Sequence, residues 1–216
     1  MTTSRLALIA LLSIPLSLPA GTITQTLGTQ VYTDGQIVSS GAFNTDNAGE
    51  PAPFNSTQGG DAVANMNVSF SFSFSPILTS ITSANILLGL YEAESSAAGS
   101  QIALFRLNGT ENLTSLLNAV METSPGVGSQ VKFYQVEIPI GALPSLAAGT
   151  ATFELALTGP GIGILGPTEF NGGGLDFATL SVNFSDPGGE VPEPSSALLA
   201  GGALVMGAAL LRRRLR

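Results

Sequence analysis

Oxygen-bearing side chains gather in two stretches of this 216-residue chain and are its first candidates for chemistry. Asp46, Asn47, Glu50 and Asp61 stand in one region rich in Gly, Asn and Pro, and Asp176 follows a run of three glycines much later in the chain. Ca²⁺ takes about six to eight oxygen ligands of these types. The spacing is not that of an EF-hand loop. These residues predict a calcium site if the fold brings the two stretches together, with Asx turns and a solvated acidic loop as the alternative.

A pair of carboxylates two residues apart offers a second kind of chemistry. Glu92 and Glu94 follow an apolar run that ends at Tyr91, and in an extended chain they would project to the same face. Two carboxylates are sufficient to hydrolyse a glycosidic bond. Nothing in the sequence indicates that either side chain is buried or partnered. We therefore expect a protein that is not an enzyme, and a carboxylate-based polysaccharide-active enzyme is the alternative.

The sequence contains no His, no Cys and no Trp. Without Cys there is no disulfide, thiolate metal site or cysteine nucleophile. Without His there is no Ser–His–Asp triad and no histidine metal ligand. The missing Trp weakens the case for a sugar-stacking surface.

Charge is distributed unevenly along the chain. Residues 21–190 contain only two basic residues, Arg106 and Lys132, against fourteen Asp and Glu, which gives a net charge of −12. Such a field repels phosphate backbones, so we expect no nucleic-acid partner. It suits solubility, divalent cations or a basic partner.

The N-terminus has the layout of a secretory signal peptide. Arg5 precedes an apolar run over residues 6–14, which is too short to span a bilayer, and a proline-containing segment leads to Ala20. We predict a signal peptide over residues 1–20, cleaved after Ala20. Leu18 is bulky for the position three residues before a cleavage point, and a neighbouring cut is the alternative.

The C-terminus has the layout of a membrane anchor. Seventeen uncharged, mostly apolar residues, 195–211, would form a helix about 26 Å long, enough to cross a bilayer core. Arg212, Arg213, Arg214 and Arg216 follow, and they would stop transfer and hold the C-terminus on the cytoplasmic side. We predict a transmembrane helix with the preceding domain on the extracytoplasmic side.

Pro192, Glu193 and Pro194 stand immediately before this apolar segment. The tripeptide, the single helix and the terminal arginine cluster, all within residues 191–216, resemble the PEP-CTERM sorting signal. The resemblance covers about an eighth of the chain. It implies that the tripeptide is recognised by a membrane-embedded exosortase, and that the processed protein reaches the cell surface or the extracellular polysaccharide matrix. It implies nothing about the activity of the domain in between.

Period-two alternation dominates residues 21–190. In 66–74 every even position is apolar and every odd one is Asn or Ser, which predicts a strand with Phe70 and Phe72 inward. Residues 130–140 alternate more weakly, with Lys132, Tyr134, Val136, Ile138 and Ile140 on one face and Val131 and Phe133 on the other. Further strands are predicted at 22–27, 36–40, 83–91, 101–107, 150–158 and 175–184, and 41–60 is predicted to be a long loop. A single short helix is predicted by the spacing of Leu113, Leu116, Leu117 and Val120, with Asn112 as its N-cap.

These patterns predict an all-β domain, an antiparallel β-sandwich of jelly-roll type with one short helix. Two functional hypotheses follow. One is a non-catalytic structural, adhesive or glycan-binding component of the envelope or matrix, and the other is the carboxylate enzyme. An ice-binding surface protein is a minor third reading, because no repeating Thr-x-Thr ladder is present.

Overall fold

The computed structural model describes residues 20–163 and 165–185. The predicted signal peptide, the sorting motif, the segment 195–211 and the terminal arginines therefore lie outside the described residues. Within the described ranges, no helix has the length and apolar character needed to cross a membrane.

The described residues form a mostly β structure with two α-helices. In chain order the strands are β1 (Ala20–Gly28), β2 (Thr57–Gln58), β3 (Asn67–Ser73), β4 (Ile81–Tyr91), β5 (Ile102–Leu107), β6 (Glu111–Asn112), β7 (Val131–Glu137), β8 (Thr150–Leu157), β9 (Ile162–Gly163), β10 (Gly166–Pro167) and β11 (Gly173–Ser185). The helices are α1 (Ser40–Asp46) and α2 (Thr114–Thr123), and Leu143–Leu146 forms a 3₁₀ turn.

The strands pair antiparallel in two main sheets. One sheet has the order β1-β11-β4-β7, with β2 added beside β11, and the other has the order β3-β8-β5-β6. Strands β9 and β10 form a separate small hairpin. Apolar side chains of both sheets join in one buried cluster, so the sheets pack face to face as a sandwich.

The prediction for 66–74 is confirmed. Along β3, Val68, Phe70 and Phe72 are buried while the intervening residues are exposed. Phe70 stacks on Phe153 of β8 at 5.6 Å between ring centroids, and Phe72 meets the same ring edge-on at 6.0 Å. The alternation therefore builds an aromatic centre for the core.

The strand predicted at 36–40 is wrong. Ile37 makes only an isolated bridge to Gln130 and is exposed. Helix α1 begins at Ser40, the last residue of that predicted strand, and continues to Asp46 within the predicted long loop. The Ser39 hydroxyl accepts a hydrogen bond from the Ala42 N–H at 3.2 Å, which starts the helix. The sandwich thus carries two helices instead of the one predicted.

Two details of the second half also differ from expectation. The N-cap position of α2 is Leu113, although the Asn112 side chain accepts a hydrogen bond from the Thr114 N–H at 3.0 Å. Strand β7 ends at Glu137, two residues before Pro139, which has no N–H to donate to a sheet. Ile140, the last residue of the predicted strand, consequently lies beyond β7 and is 83% exposed.

A second, smaller apolar cluster lies apart from the main core. It consists of Tyr32, Val38, Phe43, Tyr91 and Val131. The chain between β1 and β2, which includes α1, thereby covers residues at the ends of β4 and β7. This covering segment positions the candidate site.

Candidate functional site

Asp176 occupies a β-bulge in the last long strand. Leu175 pairs with Leu90 and Phe177 pairs with Gly89, so Asp176 is an extra residue on β11 without a partner on β4. A bulge turns a side chain away from its regular direction. The backbone N–H of Tyr32 donates to Asp176 Oδ2 at 3.4 Å, so the carboxylate faces the covering segment, and Asp176 is completely buried.

Asn47, the residue that closes α1, is the polar neighbour of Asp176 and is also completely buried. The Asn47 amide is close enough to lower the pKa of Asp176, although no hydrogen bond of good geometry joins the two side chains. Among the described residues, Asn47 Oδ1, Asn47 Nδ2 and Asp176 Oδ1 have no hydrogen-bond partner. Buried polar atoms are normally satisfied, so this pair is a place where a water or an ion would be stabilised.

Burial dominates the electrostatics of this pair. It raises the pKa of Asp176 to about 6, and the charge of Glu50 acts in the same direction. The N–H groups of Val31 and Tyr32 partly offset this effect, because they favour the carboxylate form. The side chain of Tyr32 also reaches Asp46, because its hydroxyl donates to Asp46 Oδ2 at 2.9 Å.

Of the residues predicted as ligands, Asn47 and Glu50 act on the Asp176 carboxylate, and Asp46 is bound by the hydroxyl of Tyr32, whose N–H donates to Asp176. Asp61 lies in a different neighbourhood. Asp61 Oδ1 accepts a hydrogen bond from the Gly172 N–H at 2.9 Å, and its charge acts on Glu92 and Glu94. The five predicted ligands thus belong to two neighbourhoods. In residues 20–163 and 165–185, no three Asp or Glu side chains converge in an arrangement that could hold a metal.

The pair of Asn47 and Asp176 could hold a cation only with further oxygens from the backbone or from water. The two side-chain oxygens without a hydrogen-bond partner, Asn47 Oδ1 and Asp176 Oδ1, fall short of the roughly six that Ca²⁺ requires. Calcium at this position stays a prediction. Asn47 and Asp176 would supply its side-chain ligands, and Glu50 is close enough for its charge to act on Asp176.

Nothing in the sequence indicated that Glu92 or Glu94 is buried, and Glu94 differs most from that expectation. It is 6% exposed, and neither of its carboxylate oxygens has a hydrogen-bond partner among the described residues. Burial raises the pKa of Glu94 to about 7, and the charges of Glu92 and Asp61 add to the shift. Glu92 is half-buried, with a raised pKa from the same main cause and a backbone φ of 50°. A carboxylic acid that titrates near neutral pH can act as a proton donor.

Tyr32 is the residue that the sequence analysis missed. Its hydroxyl binds Asp46 and its backbone N–H binds Asp176, so it links the two halves of the predicted site. Burial and the neighbouring Asp46 raise the pKa of its hydroxyl well above the usual range. The only signal in the sequence is an isolated aromatic within a polar stretch.

An open groove of about 550 Å³ runs beside α2 and is lined by polar residues. Much of that polarity is already engaged. Asn118 Oδ1 accepts from the backbone N–H groups of Gln101 and Ile102, and Glu122 accepts from the N–H of Gly99 at 2.6 Å. These side chains fasten α2 to β5, which leaves them little capacity to bind a ligand.

Comparison with family models, with curated proteins and with solved structures finds no match to this chain.

Proposed function

We propose that this protein is an exported, non-catalytic component of the bacterial cell surface or extracellular matrix. In this proposal residues 195–211 anchor it in the membrane with the sandwich outside, and an exosortase-like enzyme processes it at Pro192, Glu193 and Pro194. The sandwich then serves as a structural, adhesive or glycan-binding module. The order of tripeptide, apolar segment and arginine cluster supports this assignment.

The observation that carries the proposal is the pairing of the first and last described residues. Ala20 lies opposite Ser185 in the β1–β11 ladder, so both ends of the domain meet at one point of the sandwich. Removal of a signal peptide after Ala20 would leave Gly21 still paired with Phe184. Both processing events would therefore leave the core of the domain intact.

The strand orders support a jelly-roll assignment for the sandwich. The first long strand lies beside the last, and β4 and β7 complete that sheet, while β3, β8, β5 and β6 complete the other. Jelly rolls of two four-stranded sheets are common in lectin-type and surface proteins, so the fold is compatible with adhesion.

The buried Glu94 favours a second candidate, the polysaccharide-active enzyme. Its pKa of about 7 beside the half-buried Glu92 is the pattern of an acid and its partner carboxylate. The groove beside α2 and the cavity at Ile140 are lined by other residues. An array of polysaccharides, assayed for binding and for release of reducing ends, separates the two. Hydrolysis that is lost in Glu94→Gln would establish the enzyme.

Processing is tested with Glu193→Ala in the native host. If Glu193 is part of the recognition element, the variant should accumulate at full length in the membrane fraction. Glu190→Ala, which changes a nearby carboxylate outside the tripeptide, is the matched control and should be processed normally. Normal release of the Glu193 variant, as measured by mass spectrometry, would contradict the sorting proposal.

A further inference from the structure

Two loops at one end of the sandwich contain no charged residue. They are residues 74–80, between β3 and β4, and residues 138–149, between β7 and β8. Backbone hydrogen bonds join them, from the Phe74 N–H to Gly149 O at 2.8 Å and from the Ile77 N–H to Ala147 O at 2.9 Å. We call this pair of loops the uncharged end.

The uncharged end exposes large apolar side chains. Leu78 is 91% exposed on the first loop and Ile140 is 83% exposed on the second. A cavity of about 310 Å³ opens at the same place and is lined by Ile140, Ile81, Leu143 and Pro144 among others. Single exposed apolar residues are ordinary. Here Ile140 lines the cavity, and Leu78 directly precedes Thr79 and Ser80, which also line it, so we treat the two side chains and the cavity as one patch.

The chain leaves the domain beside this patch. The Ser185 N–H and hydroxyl both donate to Ser80 O, at 3.0 and 3.2 Å, and Ser80 belongs to the cavity lining. Nine residues, 186–194, separate Ser185 from the predicted membrane segment. Even fully extended, they reach no more than about 30 Å.

Acidic residues concentrate at the opposite end of the strands. Asp176 lies near the start of β11, whereas Ser185 ends it, and Glu92 and Glu94 follow the end of β4, whereas Ile81 begins it. Asp61 contacts Gly172, just before β11. Two acidic residues lie closer to the uncharged end. Glu137 ends β7, and Glu111 pairs with Leu107, next to Asn108, whose side chain donates to Ser145 O of the second loop at 2.8 Å. A domain oriented with this end towards an anionic lipid surface therefore holds most of its negative charge away from it.

We propose that the uncharged end is a lipid-contacting surface, and that Leu78 and Ile140 insert into the head-group region of the membrane while the protein is anchored. Apolar side chains gain from leaving water, and the uncharged loops avoid the cost of desolvating ions. The short connection to the membrane segment supplies the proximity. The inference rests on the proposed anchoring and adds an orientation to it.

Site-directed spin labelling tests this orientation, because the chain has no natural Cys. Leu78→Cys and Ile140→Cys are labelled in the full-length protein in phosphatidylcholine–phosphatidylglycerol liposomes. Val63→Cys is the matched control, since Val63 is 76% exposed and lies beside Asp61 at the opposite end. Ala203→Cys reports on the anchor itself. The measurement is the accessibility of each nitroxide to oxygen relative to a water-soluble nickel complex.

We expect this ratio to be several-fold higher at positions 78 and 140 than at 63, and highest at 203. A membrane-like ratio at 203 with a water-like ratio at 78 and 140 would overturn the inference and leave the anchor in place. A water-like ratio at 203 would overturn both. Spin–spin broadening between labels at 78 on separate molecules would show that a second copy covers the patch, and it would also overturn the lipid assignment.

Discussion

The rings of Phe43 and Tyr91 stack with their centroids 4.7 Å apart and their planes inclined by 20°. Tyr32 adds a third ring, 5.9 Å from Phe43. Gly174 lies below, where a Cβ atom would come within 2.6 Å of the Phe43 ring. Phe43 is the buried residue of α1, so this stack attaches the helix to the sheet and holds Asn47 over Asp176.

Replacement of Phe43 by Ala should detach α1. Emptying a buried aromatic site costs about 3–5 kcal/mol, and a domain of this size is stable by only about 5–15 kcal/mol. Chemical denaturation should therefore show a large loss of unfolding free energy. Ile37→Ala, in the same covering segment but 73% exposed, should change it little. Equal effects would mean that the aromatic stack does not hold the helix.

The core strand gives a second prediction. Phe72 is fully buried against Phe153, so Phe72→Ala should cost about 3–5 kcal/mol and lower the melting temperature clearly. Ser71 is exposed and its hydroxyl hydrogen-bonds to Thr152 at 2.8 Å across the surface. Ser71→Ala should cost no more than about 1 kcal/mol. Similar small effects at both positions would contradict the assigned faces.

Strands such as β3 and β8 were predictable because one face meets the core and the other meets water. Apolar and polar residues therefore alternate along their sequences. Helix α1 was not predictable in this way. It is seven residues long and buries only Phe43, so it carries no helical apolar stripe. Its formation depends on the Ser39 cap and on the stacking of Phe43 against Tyr91. Neither produces a periodic pattern in the sequence.

The candidate site was predictable only in part. The acidic and amide residues of the loop do approach Asp176, because the covering segment folds back over the start of β11. The bulge that turns Asp176 inward has no signature in the sequence. The burial of Glu94 was likewise invisible, because it depends on packing by residues distant in the chain, including Gly128 near its Oε1.

Calcium binding at Asn47 and Asp176 is tested by melting temperature. If an ion fills the space between the unpaired oxygens, millimolar Ca²⁺ should raise the melting temperature and EDTA should lower it, because the ion binds only the folded state. Asp176→Asn should abolish the difference. Asp61→Asn should preserve it, because Asp61 belongs to the other neighbourhood. Coincident curves in Ca²⁺ and EDTA would leave a buried water as the occupant.

Glu94 gives a prediction on pH. Its pKa rises on folding from an ordinary 4.5 to about 7, so between these values the folded state holds a proton that the unfolded state lacks. The free energy of unfolding contributed by Glu94 therefore falls as the pH rises through this window, and the loss is complete above about pH 7.

Glu94→Gln should remove this dependence. The free energy of unfolding of the variant should match that of the parent near pH 4 and exceed it by about 2 kcal/mol at pH 8. Each unit of the pKa difference is worth about 1.4 kcal/mol, and partial exposure to solvent reduces the full effect. Denaturant titrations at the two pH values measure the difference. Glu137→Gln, at an exposed position on β7, is the control. If the parent is instead more stable than Glu94→Gln at pH 8, the ionised Glu94 carboxylate must have a stabilising partner, and the prediction is wrong.

The adjacent ends of the domain determine how it would bear mechanical load. If the protein is anchored through its C-terminus as proposed, tension enters the domain at Ser185 and runs along β11, a 13-residue strand hydrogen-bonded to β1 on one side and β4 on the other. A pull along that strand strains the bonds of both ladders together in shear, instead of peeling them one at a time. The end of the domain that would be loaded under the proposed anchoring is therefore the end of a strand held on both sides, which resists unfolding from that point.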